Sequence, residues 1–150
     1  MRAVIQRVST ASVTIHGEMK SSIGHGFMVL LGIETTDEQS DAEWLCKKIA
    51  QLRVFSDENG LMNKDLKEVD GEVMVISQFT LHAAYKKGNR PSFIKAARPE
   101  QAIPLYEYFV QQLTSLVGKP VATGEFGADM KCALVNDGPV TIIMDSKNPE

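Results

Sequence analysis

Hydrophobic positions in the first third of the chain follow a short, strand-like rhythm. Ala3 to Val8 and Ala11 to Ile15 are rich in Val, Ile and Thr, and His16-Gly17 supplies a turn before Met19 to Ile23. Phe27 to Ile33 shows no polar alternation, which predicts a strand buried on both faces. The rhythm then lengthens to that of a helix. Ala42, Leu45, Cys46, Ile49 and Leu52 recur at helical spacing, and Asp37, Glu38, Asp41 and Glu43 gather where the positive end of the dipole would lie. Thr36 and Ser40 are the candidate N-caps, and Ser40-Asp41-Ala42-Glu43 fits a capping box.

Strand-like patterning returns at Arg53-Val54-Phe55, which turns at Asp57-Glu58-Asn59-Gly60, and again after Asp70-Gly71 as one β-prone run from Glu72 to Leu81. A second helix is expected to start near Ile103-Pro104, because proline suits the first helical turn. Its apolar face is Leu105, Tyr106, Phe109, Val110, Leu113, Leu116 and Val117. Strands at Val121 to Phe126, Lys131 to Val135 and Val140 to Met144 complete the set. The expected fold is α+β: a mostly antiparallel or mixed sheet, curled toward a barrel, with two main helices packed on one side.

No linker, charge block or repeat divides the 150 residues, so a single domain spanning 1–150 is expected, with 43% hydrophobic content to fill its core. Sixteen basic and nineteen acidic residues give a net charge of −3, which argues against a protein that coats long stretches of phosphate backbone. It leaves open one that grips only the tip of a nucleic acid. The polar first residues do not resemble a signal peptide, and the apolar run Phe27 to Ile33 is too short to span a bilayer. Two cysteines, Cys46 and Cys132, stand far apart and outside metal-binding spacing; both are expected as buried apolar residues in a reducing cytoplasm.

The chain has no Walker loop, GxGxxG, HExxH or GxSxG motif. Its three histidines, His16, His25 and His82, fall in separate segments. The first two flank turns and read as solvated loop residues. His82 follows the run that carries Ser77 and Thr80, where it is expected as a loop-facing polar residue, with a catalytic role the alternative. Three segments can carry chemistry. Ser77-Gln78-Phe79-Thr80-Leu81 sets a polar pair in an apolar strand end; alternation puts Gln78 and Thr80 on one face, and taken alone Ser77 and Thr80 are expected to satisfy sheet-edge or turn hydrogen bonds rather than to line a cleft. Asn136-Asp137-Gly138-Pro139-Val140-Thr141 lies between two strand-like runs and reads as an ordinary turn or as unusual Gly-Pro backbone. Lys86, Lys87 and Arg90, continued by Lys95 and Arg98, form a basic stretch with no acidic residue from Ala83 to Pro99; it reads equally as a nucleic-acid patch with Tyr85 and Phe93 as stacking surfaces or as a merely solvated loop.

Taken together, Ser77 to Leu81 and Asn136 to Thr141 resemble the two signature motifs of the D-aminoacyl-tRNA deacylases. Ile5-Gln6-Arg7-Val8, Lys87-Gly88-Asn89-Arg90-Pro91-Ser92-Phe93 and Phe126-Gly127-Ala128-Asp129-Met130 extend the resemblance in the family's order. It implies a cytoplasmic homodimer with its pocket at the subunit boundary, lined by Ser77, Gln78, Phe79 and Thr80 from one subunit. Gly138 and Pro139, joined by a cis peptide bond, would enter from the other. It implies a substrate that is the 3′-terminal adenosine of tRNA esterified to a D-amino acid, or to glycine mischarged on an alanine tRNA. Asn136, Phe126, Ala128 and Met130 would bind that substrate, Lys86, Lys87 and Arg90 the tRNA, with no metal or cofactor. On this reading the Phe79 and Thr80 N–H groups hold the developing oxyanion and the ribose hydroxyl helps activate water; a nucleophilic Thr80 hydroxyl is the second choice. Two other classes compete: an RNA-binding module without turnover, and a Ser/Thr hydrolase of small esters.

Overall fold

A computed structural model describes residues 1–150. Its elements in order are β1 (Arg2–Ile15), β2 (Glu18–Ile23), β3 (Gly26–Gly32), α1 (Gln39–Ala50), β4 (Phe55–Ser56), β5 (Met62–Lys64), β6 (Glu72–Ser77), a 3-10 turn (Phe79–His82), α2 (Pro99–Val117), β7 (Ala122–Thr123) and β8 (Lys131–Asp145). The main sheet runs β2-β1-β3-β6-β7, with β8 on the other edge of β1; β3-β6 and β6-β7 are parallel and the rest antiparallel. The sheet curls until Ser21 Oγ on β2 donates to the Thr123 carbonyl of β7 at 2.7 Å, bringing its two ends together. The expected curled α+β fold is the one observed.

Both faces of the central strands are covered, which explains the unbroken apolar run. Phe27, Val29 and Leu31 of β3, with Val73 and Val75 of β6, face the helices and join Leu45, Ile49, Phe109 and Leu113 in the larger core. Met28 of β3, with Met74 and Ile76 of β6, faces inward to a second core with Val8, Ala11 and Val13. In β1 the inward set changes phase, from Ala3 and Ile5 on one core to Val8 on the other, where the pairing with β8 slips between Gln6 and Val8. One continuous strand of 14 residues therefore stands where two were expected.

Several boundaries differ from the sequence reading. Glu38, not Thr36 or Ser40, caps α1, and its N–H donates to Asp41 Oδ2 at 2.9 Å. Asp41 is held there by Ser146 Oγ and Lys147 Nζ at 2.7 and 2.8 Å, contacts the local pattern cannot reveal. Helix α2 starts at Pro99, following an extended Arg98, so Pro104 lies inside it. Its missing N–H removes one hydrogen bond back to the first turn without stopping the helix. The expected Val121–Phe126 strand shrinks to two residues, Ala122–Thr123. Most consequential, β8 runs for 15 residues straight through Gly138-Pro139: the segment read as a turn is an irregularity within a strand held by its ladder to β1.

Candidate active site

The β-prone run ends early. Strand β6 stops at Ser77, Gln78 N–H donates to the Leu31 carbonyl at 2.8 Å, and Phe79–His82 wind into a 3-10 turn. Gly32 makes room for this turn: a Cβ there would lie 2.9 Å from Leu81 Cβ, 3.0 Å from the Gln78 carbonyl oxygen and 3.1 Å from His82 Cδ2. His82 is thus buried beneath the turn, contrary to the loop-facing expectation, and its Nδ1 lies 3.8 Å from Glu34 Oε2. Both ring nitrogens lack a hydrogen-bond partner. Arg2 Nη1 donates to the Leu81 carbonyl at 3.0 Å and ties the turn down from the other side.

The turn presents free donors. Leu81 N–H is the first to bond back within it, to the Gln78 carbonyl at 3.3 Å, so the N–H groups of Phe79 and Thr80 precede the ladder and have no partner inside it. Gln78 Nε2 donates to Thr80 Oγ1 at 2.5 Å, so these two side chains do sit together, although by a turn and not by strand alternation.

Beside this turn opens a cavity of about 270 Å³. Ser77, Gln78 and Phe79 line one wall; Phe126, Ala128 and Met130, from the segment between β7 and β8, line the other. Two segments some fifty residues apart, both singled out in the sequence, thus converge. Tyr106 of α2 backs this wall: its ring meets Phe126 edge-on at 6.1 Å, and its hydroxyl donates to the Val75 carbonyl at 2.7 Å. Burial pushes the Tyr106 hydroxyl up to about 12, so it remains a proton donor at any working pH. At Gly124 a Cβ would fall 2.3 Å from Met130 Sδ, so this glycine lets Met130 reach the cavity. Thr80 does not line the cavity wall.

Asp129 and Cys132 also line it, and neither was anticipated. The expectation for cysteines holds for Cys46, buried with its thiol pushed up to about 12 by desolvation, aided by the nearby Glu43 charge against a hydrogen bond to the backbone. It fails for Cys132, which is exposed. Strand β8 is an edge strand, and its outer residues have no neighbouring strand to cover them.

The remaining candidates lie elsewhere on the chain. Gly138 and Pro139 are exposed on β8, joined by a cis peptide bond, and do not line this cavity. Asn136 is half-buried and donates to Thr141 Oγ1 at 3.3 Å, with its Oδ1 unpartnered. Arg7 holds the segment. Its Nε donates to the Asp137 carbonyl at 3.0 Å and its Nη1 to the Val54 carbonyl at 2.6 Å. The sequence offered Arg7 only as part of a resemblance; its sign was a cation set among apolar strand positions. Gly138 has φ +130, and a Cβ there would approach Val140 Cγ2 at 2.8 Å and Arg7 Nη2 at 3.0 Å, so substitution is strained even without a ligand. Lys86, Lys87 and Arg90 are exposed in the loop after the 3-10 turn.

The curled sheet and its small cleft are those of a family of hydrolases. The chain belongs to the D-aminoacyl-tRNA deacylase family: the model of D-Tyr-tRNA(Tyr) deacylase matches residues 4–145. It is 67% identical to the D-aminoacyl-tRNA deacylase of Phocaeicola vulgatus and 65% identical to that of Bacteroides fragilis strain YCH46, each over the full length of both chains. Among solved structures it is similar to the c-Myc DNA Unwinding Element Binding Protein, with TM-score 0.91, 44% identity and coverage of 97% and 98% of the two chains. A further structure, of "a probable eukaryotic D-amino acid tRNA deacylase", shares the fold with TM-score 0.82 at 15% identity, covering 95% and 97%.

Proposed function

We propose that this protein hydrolyses the ester joining a D-amino acid, or glycine, to the 3′-terminal adenosine of tRNA, and rejects L-amino acids. One observation carries the reading: the cavity formed by Ser77, Gln78 and Phe79 with Phe126, Ala128 and Met130, beside the unpaired N–H groups of Phe79 and Thr80. An aminoacyl ester is already activated, so the site must orient it, polarise its carbonyl and admit water. A donor at the oxyanion position is worth about 3–4 kcal/mol where a side-chain donor has been removed, and backbone N–H groups can fill the same role. The vicinal ribose hydroxyl lies next to the carbonyl and activates the water.

Selection by handedness needs a rigid wall. On this proposal the Gly138 and Pro139 carbonyls receive the α-ammonium and leave room only for hydrogen on one side of the α-carbon. An L-residue meets them with its Cβ, a D-residue points outward, and glycine passes. Gly138 and Pro139 do not line the cavity of their own chain, so a second copy must supply them. The edge of β8 supports such a pairing: it lacks a neighbouring strand along 15 residues and exposes Val135 and Ile143. The working form is then a homodimer with each site at the subunit boundary, acting on tRNA in the cytoplasm.

The test uses the protein with D-Tyr-tRNA, L-Tyr-tRNA, glycyl-tRNA charged on an alanine tRNA, and D-Tyr-tRNA whose terminal ribose lacks the 2′-hydroxyl. Rapid loss of the D- and glycyl esters, survival of the L-ester and slow loss of the 2′-deoxy ester are expected, with a dimeric mass by light scattering. Equal cleavage of both hands would overturn the reading.

A further inference from the structure

Beyond the 3-10 turn the chain forms an arm rooted at the cavity mouth. Ala83 N–H donates to the Thr80 carbonyl at 3.1 Å, and Ala84 and Ser92 exchange both backbone hydrogen bonds at 2.8 Å. The segment from 84 to 92 is therefore a hairpin-like loop, its tip turned at Gly88 with φ +113. At its base the two aromatic residues part company. Phe93 is half-buried and meets the cavity residue Phe79 edge-on at 5.1 Å. Tyr85 is 76% exposed and has no ring partner.

The charges around this bare ring are equally unspent. Lys86, Lys87, Arg90, Lys95 and Arg98 form no ion pair within 4.0 Å, in a chain whose net charge is −3. Unpaired cations flanking an open aromatic face suit single-stranded nucleic acid, whose phosphates take the charge and whose unstacked bases take the ring. A duplex keeps its bases stacked on one another and has no use for Tyr85. The distance fits as well: Ala83 is hydrogen-bonded to Thr80, and two trans peptides carry the chain at most about 7.6 Å further to Tyr85.

We propose that Tyr85 is a base-stacking residue for the unpaired nucleotides immediately upstream of the terminal adenosine, with Lys86, Lys87 and Arg90 holding their phosphates. This deepens the deacylase reading and rests on it for the placement of the terminal adenosine. Stacking is tolerant of base identity, which suits an enzyme that meets many tRNAs through one common single-stranded end.

The experiment compares D-tyrosyl esters of full tRNA, of the trinucleotide C-C-A and of adenosine alone, using the parent and Tyr85→Ala, Tyr85→Phe and Tyr85→Trp. Tyr85→Ala should raise KM on the order of tenfold to a hundredfold for the tRNA and trinucleotide esters, with kcat nearly unchanged. It should leave the adenosine ester unaffected, and Phe and Trp should restore the parent KM. An equal loss on the adenosine ester, no loss on the trinucleotide, or no rescue by Phe and Trp would overturn the proposal. Fluorescence anisotropy of labelled, unacylated C-C-A RNA gives a second readout that needs no turnover. If the parent cleaves no ester, the deacylase reading fails by itself; whether Tyr85→Ala weakens this single strand but not a blunt duplex still decides the stacking role.

Discussion

Arg7 Nε donates to the main-chain carbonyl of Asp137 at 3.0 Å, so a side chain of the first strand holds the residue preceding Gly138. The same guanidinium reaches the Val54 carbonyl at 2.6 Å, and its Nε is 3.5 Å from Asp137 Oδ2. It is largely buried, and only a planar fork serves both carbonyls at once. Arg7→Lys should therefore uncouple the segment from the β4 side. We expect a fall of about tenfold or more in kcat/KM for the D-ester and a stability loss of about 1–3 kcal/mol in urea titration. Parent-like activity in Arg7→Lys would show that the fork does not position Gly138.

Gly32 sets the seat of the 3-10 turn. Replacing it with alanine drives a methyl group to 2.9 Å from Leu81 Cβ and 3.0 Å from the Gln78 carbonyl oxygen. The neighbouring backbone must move, at a cost of about 1–3 kcal/mol. The displaced turn carries the Phe79 and Thr80 N–H groups with it, so Gly32→Ala should lower kcat more than it raises KM. Thermal melts and steady-state kinetics check both halves.

The reach of the sequence can be judged from such residues. The unbroken apolar run of β3 was legible because a strand buried on both faces leaves no polar position, and α1 because one face meets the core. The 3-10 turn was not, since Ser77 to Leu81 are β-prone and only the missing side chain at Gly32, far earlier in the chain, lets them bend. For the same reason His82 looked solvent-facing and is buried. Gly138-Pro139 carries turn chemistry, yet pairing with β1 on either side of it, at Asn136 and at Thr141, keeps it within a strand. Resemblance supplied both cavity walls; that they meet, and that Arg7 grips Asp137 across 130 residues, are tertiary facts without a local signal.

Asp41 makes the fold acid-sensitive. Burial pushes its carboxyl up, but hydrogen bonds from Lys147, the Glu38 N–H and Ser146, with the Lys147 charge, outweigh this and hold it at about 2 against an ordinary 3.8. A carboxyl depressed in the folded state stabilises the fold above its unfolded value, and that contribution is lost as pH falls from about 4 through about 2. Asp41→Asn should thus cost about 1–2 kcal/mol at pH 7. In urea titrations the gap between parent and variant should narrow below pH 4; a gap constant down to pH 3 would exclude this origin.

The exposed cations of the arm should reveal themselves through salt. With Lys86, Lys87 and Arg90 all replaced by alanine, tRNA binding should weaken, and the log–log dependence on salt should flatten by up to about 2, near 0.7 per lost single-strand phosphate contact. Titrations between low and physiological salt measure it. An unchanged slope would mean that these side chains do not touch the RNA.

Thr80 offers the sharpest choice between mechanisms. Its hydroxyl oxygen accepts a hydrogen bond from Gln78 Nε2 at 2.5 Å, and an amide N–H cannot take up the proton that a nucleophilic hydroxyl must lose. No histidine, carboxylate or lysine makes a hydrogen bond to that hydroxyl, and the nearest histidine in sequence, His82, is buried beneath the turn. If the backbone donors and the ribose hydroxyl do the work, Thr80→Ala removes only a local brace, and kcat for D-Tyr-tRNA should stay within about tenfold of the parent. An obligatory nucleophile would instead cost on the order of 10⁴-fold or more and would leave a covalent ester intermediate in the parent. Single-turnover kinetics with rapid acid quench, searching for protein-bound D-tyrosine, separates the two outcomes.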